Sequence, residues 1–223
     1  MLRDYQERAV EAAKDSLAQN RSCLLVAATG VGKTTIFCEI IRRALEKGNR
    51  IVVMAHRDEL IQQAKSRIEH QTGVQAEVEK AESWASDDAR VVVTSVQTMN
   101  AKWFEKKRLE RFPPDEFALL IIDEAHHACA KPYINVIDHF QQNQSLRLIG
   151  VTATPDRGDE IGLGNIFEDA PFVYEIGDAV QDGWLVPIRQ KYVTVGSLDY
   201  SEIRTRLGDL CGGGLAEGLE QEK

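Results

Sequence analysis

The sequence predicts an α/β fold, a doubly wound and mostly parallel sheet flanked by helices. Two observations predict it. Runs such as CLLVAA, IVVMA, VVVTS, FALLIID and LRLIGVTAT are apolar throughout rather than alternating, which suits strands buried on both faces. Helical patterns lie between several of them, so successive strands are joined by right-handed crossovers and run parallel.

Taken in order, Leu2, Tyr5, Ala9, Ala13 and Leu17 recur at helical spacing, and Asp4 is placed to cap that helix with Glu7 three residues on. The strand CLLVAA leads to a helix from about Lys33 to Glu46, and IVVMA to a helix from about Asp58 to Ile68. The strands VVVTS, FALLIID and LRLIGVTAT follow. Between two of them lies KWFEKKRLER, where Lys102, Lys106, Lys107, Arg108 and Arg111 outnumber Glu105 and Glu110. That pattern reads as a solvated helix face, with a local nucleic-acid patch as the alternative. Near the end, PIRQKYVTV reads as one more strand, and CGGGLAEG, with Gly212 to Gly214 in succession, as a linker.

At 223 residues the chain has material for one large domain or two small ones. Its net charge of -8 excludes a protein whose whole surface is a nucleic-acid footprint, so any such binding must be local. No apolar run reaches the roughly 18 residues of a membrane helix, and Met1-Leu2-Arg3-Asp4 opens no signal-peptide pattern. A cytoplasmic protein without membrane contact is expected. Cys23, Cys38, Cys129 and Cys211 form no C-x-x-C pair and read as reduced, mostly buried thiols.

The chemistry begins at AATGVGKT, Ala27 to Thr34. It fits the phosphate-binding (Walker A) pattern G-x-x-x-x-G-K-[ST] except for alanine at the first position, the one farthest from the phosphates. A strand precedes it and a helix follows, as such a loop requires. Gly30 and Gly32 permit turns that aim backbone N–H groups at phosphate oxygens, and the helix N-terminus adds partial positive charge. Lys33 reaches the terminal phosphates, and Thr34 offers its hydroxyl to Mg²⁺. In FALLIIDEAHH the apolar run buries a strand, and Asp123 and Glu124 emerge at its carboxyl end, where open α/β sheets hold ligands. Asp123 is expected to hold Mg²⁺ through water, and Glu124 to orient and deprotonate the attacking water. His126 and His127 have no metal-ligand spacing to other His or Cys residues.

DEAH, Asp123 to His126, together with AATGVGKT resembles motifs II and I of the superfamily 2 helicases and translocases, in which alanine at the first loop position is usual. Further stretches match in order: LRDYQ (2–6) resembles the adenine-reading motif, VMAHRDEL (53–60) motif Ia, TSVQTM (94–99) motif Ib and TATP (152–155) motif III. The resemblance implies a RecA-like P-loop NTPase domain over residues 1–195, with 196–223 a linker or the start of a second lobe. It implies that ATP is bound by Arg3, Gln6, Ala28, Thr29, Gly30, Val31, Gly32, Lys33, Thr34 and Thr35, with Gln6 on the adenine edge. Catalysis falls to Lys33, Asp123 and Glu124, with Thr34 and Asp123 on Mg²⁺. His56, Arg57, Thr94, Ser95, Gln97 and Thr98 would hold a nucleic-acid backbone, and His126, Thr152 and Thr154 would couple the two sites.

AHRDEL, TATP and GDAVQDGWLVPI look closer to DNA-acting members, such as RadD-like helicases and type I restriction translocase subunits, than to RNA helicases. DNA is therefore the expected partner, ahead of RNA. Nothing after Pro155 matches the arginine-bearing motif of the family's second lobe, so a second RecA-like lobe is expected in the complete protein. Two other readings are a non-catalytic nucleic-acid-binding module on the same scaffold and a general nucleotide switch or transporter ATPase. The intact Lys33, Asp123 and Glu124 speak against the first, and the absence of an L-S-G-G-Q signature against the transporter.

Overall fold

The computed structural model describes residues 2–55, 58–154, 162–187 and 189, and the short strands 205–206 and 209–210; of residues 58–60 only the backbone is described. Two compact units divide the chain, Met1–Val186 and Pro187–Lys223. In the first, the order is α1 (Asp4–Gln19), β1 (Ser22–Ala27), α2 (Lys33–Glu46), β2 (Ile51–Met54), α3 (Asp58–Thr72), β3 (Glu77–Glu79), β4 (Val91–Thr94), α4 (Val96–Asn100), β5 (Lys102–Trp103), β6 (Lys106–Lys107), β7 (Leu119–Asp123), α5 (Lys131–Phe140), β8 (Arg147–Thr152), β9 (Asp169–Tyr174) and α6 (Ile176–Gln181). In the second, β10 (Thr205–Arg206) pairs antiparallel with β11 (Asp209–Leu210). Most of PIRQKYVTV and all of Gly212 to Gly214 lie outside the described residues.

Seven strands form one sheet in the order β3-β4-β2-β7-β8-β1-β9, and every pairing in it is parallel. The side-chain period of two divides each central strand between two cores. Leu25, Val53, Ile121 and Val151 join the side covered by α1, α2 and α3. Leu24, Val52, Leu120 and Leu148 join the opposite side, with Val136, Ile137 and Phe140 of α5. Apolar residues at both parities are therefore what a sheet with helices on each face demands, and the predicted doubly wound class is the observed one.

Local departures from expectation have physical causes. The cap of α1 is Arg3, one residue earlier than expected, and its N–H donates to Oε1 of Gln6 at 3.0 Å. Helix α3 runs one turn beyond Ile68, to Thr72, and stops where Gly73 takes a positive φ of 70°. The sequence reading missed β3 and β9. β3 is only three residues long. β9 is an edge strand carrying Pro171, whose missing N–H is tolerated at an edge, and its pairing with β1 is irregular between Cys23 and Leu25.

The basic segment 102–111 is not a helix. Residues 102–107 form a two-stranded hairpin, and Arg108–Arg111 a 3-10 turn. Its reason is the fully buried carboxylate of Glu79 on β3. Arg108 pairs with one oxygen of that carboxylate, Arg111 reaches it at 2.9 Å, and the Ala85 N–H donates to it at 2.8 Å. Two cations drawn to one buried anion override the helical pattern, because a buried charge is tolerated only when paired.

Gly150 of β8 sits opposite Ile122 in the register, and a Cβ built on it would meet the Phe167 ring and, at 2.8 Å, the Cβ of Ala125. The missing side chain lets the turn after β7 pack against the sheet. Gly150→Ala should therefore cost about 1–3 kcal/mol by overpacking. Urea unfolding of the variant beside the parent measures it; equal midpoints would show that the turn does not rest on this contact.

Candidate functional site

The site lies at the carboxyl ends of three neighbouring strands. Val26 pairs with Thr152, and Asp123 with Val151. The loop after β1, the acids ending β7 and the threonine ending β8 are thus carried on adjacent strands. The loop leaves β1 after Ala27, and the Ala28 N–H donates to the Tyr174 carbonyl at 2.9 Å. Gly30 and Gly32 have φ of 89° and 88°, values that glycine adopts without a Cβ penalty. At Gly32 a Cβ would also lie 2.8 Å from Gln6 Nε2. α2 begins at Lys33, where the Thr35 N–H donates to the Gly32 carbonyl at 2.9 Å and the helix start adds partial positive charge beside the loop. Thr29 and Gly30 are exposed; Lys33, Thr34 and Thr35 are half-buried; Val31 is buried.

Gln6 is buried, and its Nε2 donates to the Val31 carbonyl at 3.1 Å while Oε1 accepts from Arg3 N. An amide carries two donors and two acceptor lone pairs, so half of its capacity stays available. Around it stand residues the sequence reading did not assign to the site. The Tyr5 hydroxyl donates to the same Val31 carbonyl at 2.6 Å, and its ring stacks on Tyr174 with centroids 4.5 Å apart. The Arg3 guanidinium lies 4.3 Å from the Trp184 ring and donates to the Tyr5 hydroxyl at 3.1 Å. Tyr5 lies within the LRDYQ stretch but has no role of its own in the sequence reading beyond the core of α1, and Trp184 is brought in from far along the chain.

Asp123 and Glu124 are half-buried side by side. Asp123 Oδ1 accepts from the Glu124 N–H at 3.0 Å, and Glu124 holds a left-handed backbone, φ 52°, a strained state for a non-glycine residue that recurs at functional sites. Burial first, and Glu124 second, push the Asp123 carboxyl up to about 6, although Lys33 and the Glu124 N–H act in the opposite sense. Burial, with the charges of Asp123 and Glu124, also pushes the Tyr133 hydroxyl up to about 12. The crowded acids create a field that a divalent cation would relieve. Among the described residues no cluster of three or more His, Cys, Asp or Glu side chains is arranged to hold a metal. A strand-end carboxylate such as Asp123 suits Mg²⁺, which keeps several waters and takes phosphate oxygens as ligands.

His126 Nδ1 lies 3.4 Å from Glu124 Oε2 and 3.1 Å from the buried Thr152 hydroxyl. The Thr154 N–H in turn donates to Thr152 Oγ1 at 3.2 Å. A contact chain thus runs from Glu124 to Thr154. Of the expected nucleic-acid residues, Gln97 is exposed, whereas Thr94, Ser95 and Thr98 are buried. Thr94 donates to the Glu79 carbonyl at 2.9 Å, and Ser95 Oγ caps α4 by accepting from the Thr98 N–H at 3.2 Å. His56 and Arg57 lie outside the described residues.

With this geometry in view, residues 1–157 match the family described as the type III restriction enzyme res subunit. The chain belongs to that family. It is the first, ATP-binding RecA-like lobe of the superfamily 2 helicase and translocase type. It is 30% identical over 94% of its length to IRC3 of Saccharomyces cerevisiae, whose name assigns it to the ATP-dependent helicases, and covers 31% of that protein. It is 31% identical over 84% of its length to the type I restriction enzyme EcoAI endonuclease subunit of Escherichia coli, covering 23% of it. The chain thus spans about a third or less of these relatives. Among solved structures, the Hef helicase domain of Pyrococcus furiosus superposes with a TM-score of 0.68 at 24% identity, over 86% of this chain and 42% of that one. The type ISP restriction-modification enzyme LlaGI, solved in complex with a DNA substrate mimic, gives 0.60 at 21%, over 82% and 21%. Both likenesses show the fold. No described helix is long and apolar enough to cross a membrane.

The weakened acidity of Asp123 makes stability depend on pH. Its folded-state value, about 6, exceeds the ordinary 3.8, so between these pH values the folded state binds more protons than the unfolded one, and stability falls as pH rises through the window. Asp123→Asn removes that cost. Without nucleotide or metal it should raise stability at pH 7 by on the order of 1 kcal/mol and leave it unchanged below the unfolded value. Denaturant unfolding at the two pH values checks the difference; an equal effect at both would assign it to packing.

Proposed function

We propose that this lobe binds Mg²⁺–ATP and, joined to a second RecA-like lobe, hydrolyses it to drive movement along DNA. The observation that carries the reading is the juxtaposition of the glycine loop after β1, the Asp123–Glu124 pair ending β7 and Thr152 ending β8 on adjacent strands. Gly30 and Gly32 let the loop N–H groups converge on phosphate oxygens, with Ala28, Thr29, Val31 and Thr35 completing the cradle. Lys33 meets the terminal phosphates. Thr34 and Asp123 hold Mg²⁺, which when bound neutralises charge on the phosphate oxygens. Glu124 orients the attacking water and takes its proton, while Gln6 and Arg3 meet the adenine. His126, Thr152 and Thr154 relay the state of the nucleotide toward the nucleic-acid face formed by His56, Arg57, Thr94, Ser95, Gln97 and Thr98. In that face the buried Ser95 and Thr98 shape α4, and Gln97 reaches the strand. On this reading the lobe extends over residues 1–195, past the Val186 end of the first compact unit, and 196–223 are a linker or the start of the second lobe.

DNA is favoured over RNA because the family is that of a restriction enzyme subunit, and the similar type ISP enzyme was solved on a DNA substrate mimic. With its charge of -8 the chain offers only local phosphate contacts, so single-stranded DNA should bind without sequence preference and more weakly as salt rises. Arg57→Ala should weaken that binding on every sequence.

Two variants separate the steps. Lys33→Ala should lose binding of a fluorescent ATP analogue, whereas Glu124→Gln should keep it. With a second lobe supplied, hydrolysis by Glu124→Gln should fall about 10²-fold or more. Analogue binding by Lys33→Ala equal to the parent's would overturn the loop assignment, and undiminished turnover by Glu124→Gln that of the base. The 223-residue chain alone should hydrolyse ATP very slowly and displace no strand, since a second-lobe arginine contributes roughly 10³–10⁵ in rate in related enzymes. Strand displacement by this chain alone would refute the need for the second lobe.

A further inference from the structure

An aromatic cluster stands exposed beside α4. Trp84, Trp103 and Phe104 are 44%, 42% and 85% exposed. Trp103 lies 5.2 Å from each of the other two, ring centroid to ring centroid. The cluster is held from beneath. The Arg108 guanidinium lies 3.7 Å from the Trp84 ring and that of Arg111 4.9 Å from it, and both arginines pair with the buried Glu79. Arg108 also donates to the Ala81 and Ser83 carbonyls at 2.7 and 2.8 Å, fixing the loop that carries Trp84. Trp84, against which Trp103 packs, is therefore held in place.

Phe104 is at the tip of the hairpin, between the paired Trp103 and Lys106, with a φ of 54°. The first position of such a two-residue turn favours glycine or asparagine, and a bulky side chain there is strained. Burial gives nothing back, because the ring is mostly in water. A strained backbone that displays an aromatic ring to solvent calls for an occupant outside this lobe.

Charge selects the kind of occupant. Within residues 102–107 Lys102, Lys106 and Lys107 face a single acid, Glu105, and all six residues are exposed. Exposed rings interleaved with lysines fit an unpaired nucleic-acid strand, whose bases stack while its phosphates meet the ammonium groups. Position agrees. The hairpin follows α4 directly, through the Ala101 N–H on the Thr98 carbonyl at 3.0 Å and the Arg108 N–H on the Ala101 carbonyl at 2.9 Å. We propose that Trp103 and Phe104, backed by Trp84, form a base-stacking platform that receives an unpaired nucleic-acid strand leaving the Gln97 contact. The proposal rests on the nucleic-acid reading of α4 given above and adds a contact to bases rather than to backbone.

The test uses the whole 223-residue chain, a short fluorescent oligothymidylate, and an abasic oligonucleotide of the same length and phosphate count. The substitutions are Phe104→Gly and Trp103→Leu. Phe104→Gly should hold or raise thermal stability, since glycine relieves the turn, and yet weaken oligothymidylate binding about tenfold, the scale of one lost base–aromatic stack. Trp103→Leu should weaken it similarly. Neither should change binding of the abasic strand, which should be weaker than oligothymidylate on the parent, with a smaller gap on either variant. If the parent binds oligothymidylate and both variants bind it equally well, the platform proposal fails while the nucleic-acid reading stands; a protein contact would give that result. If the parent binds neither oligonucleotide, the underlying reading fails, and the platform with it.

Discussion

Because β2, β4, β7, β8 and β1 present apolar side chains on both faces, each must be covered twice, and helices on both sides of a parallel sheet are the arrangement that does so. Polar side chains are then excluded from the strands and collect where the strands end. In a parallel sheet the strand ends share one edge, so the loop after β1, Asp123 and Thr152 come together through the pairing of their strands. The candidate site is a consequence of burying the sheet.

That arrangement leaves its polar groups to be held by neighbours rather than by the core. Val31 is the meeting point on one side, since its carbonyl accepts from both Tyr5 and Gln6 of α1. α1 is itself tied to α2 through Arg43, which pairs with Glu7 at 2.6 Å and with Glu11. These pairs are partly exposed and contribute modestly, but they join the helix that carries Gln6 to the helix that begins at Lys33. On the other side, His126 stands between Glu124 and Thr152. Each half of the site therefore has a protein contact that nucleotide binding would have to respect or exchange.

Glu79 organises the far edge of the sheet in a different way. A fully buried carboxylate would be prohibitive alone, and removing one partner of such a group typically costs more than the pair contributes. Here two arginines and a backbone N–H surround it. The result is geometric specificity. The 3-10 turn, the hairpin and the Trp84 loop all take their positions from one anion, and the aromatic cluster follows from those positions.

The sequence by itself determined the five central strands β1, β2, β4, β7 and β8, the helices α1 to α3, the phosphate-type loop and the acid pair, because those depend on periodicity and contiguous residues. Lys33 at the start of α2 and Asp123 at the end of β7 were legible for that reason. Only the tertiary structure decided what depends on residues distant in the chain. Tyr5, Tyr174 and Trp184 share no local pattern, yet they meet beside the loop. The basic run 102–111 has a helical look, but Glu79, more than twenty residues earlier, bends it into a hairpin and a turn. Thr94, Ser95 and Thr98 read as donors to a ligand, and folding engages their hydroxyls within the protein. Gly150 is unremarkable in sequence and becomes necessary only once Phe167 and Ala125 pack over it. Propensity and spacing are properties of a short stretch, whereas a buried charge or a close packing contact is satisfied by whichever residues the completed fold brings to it.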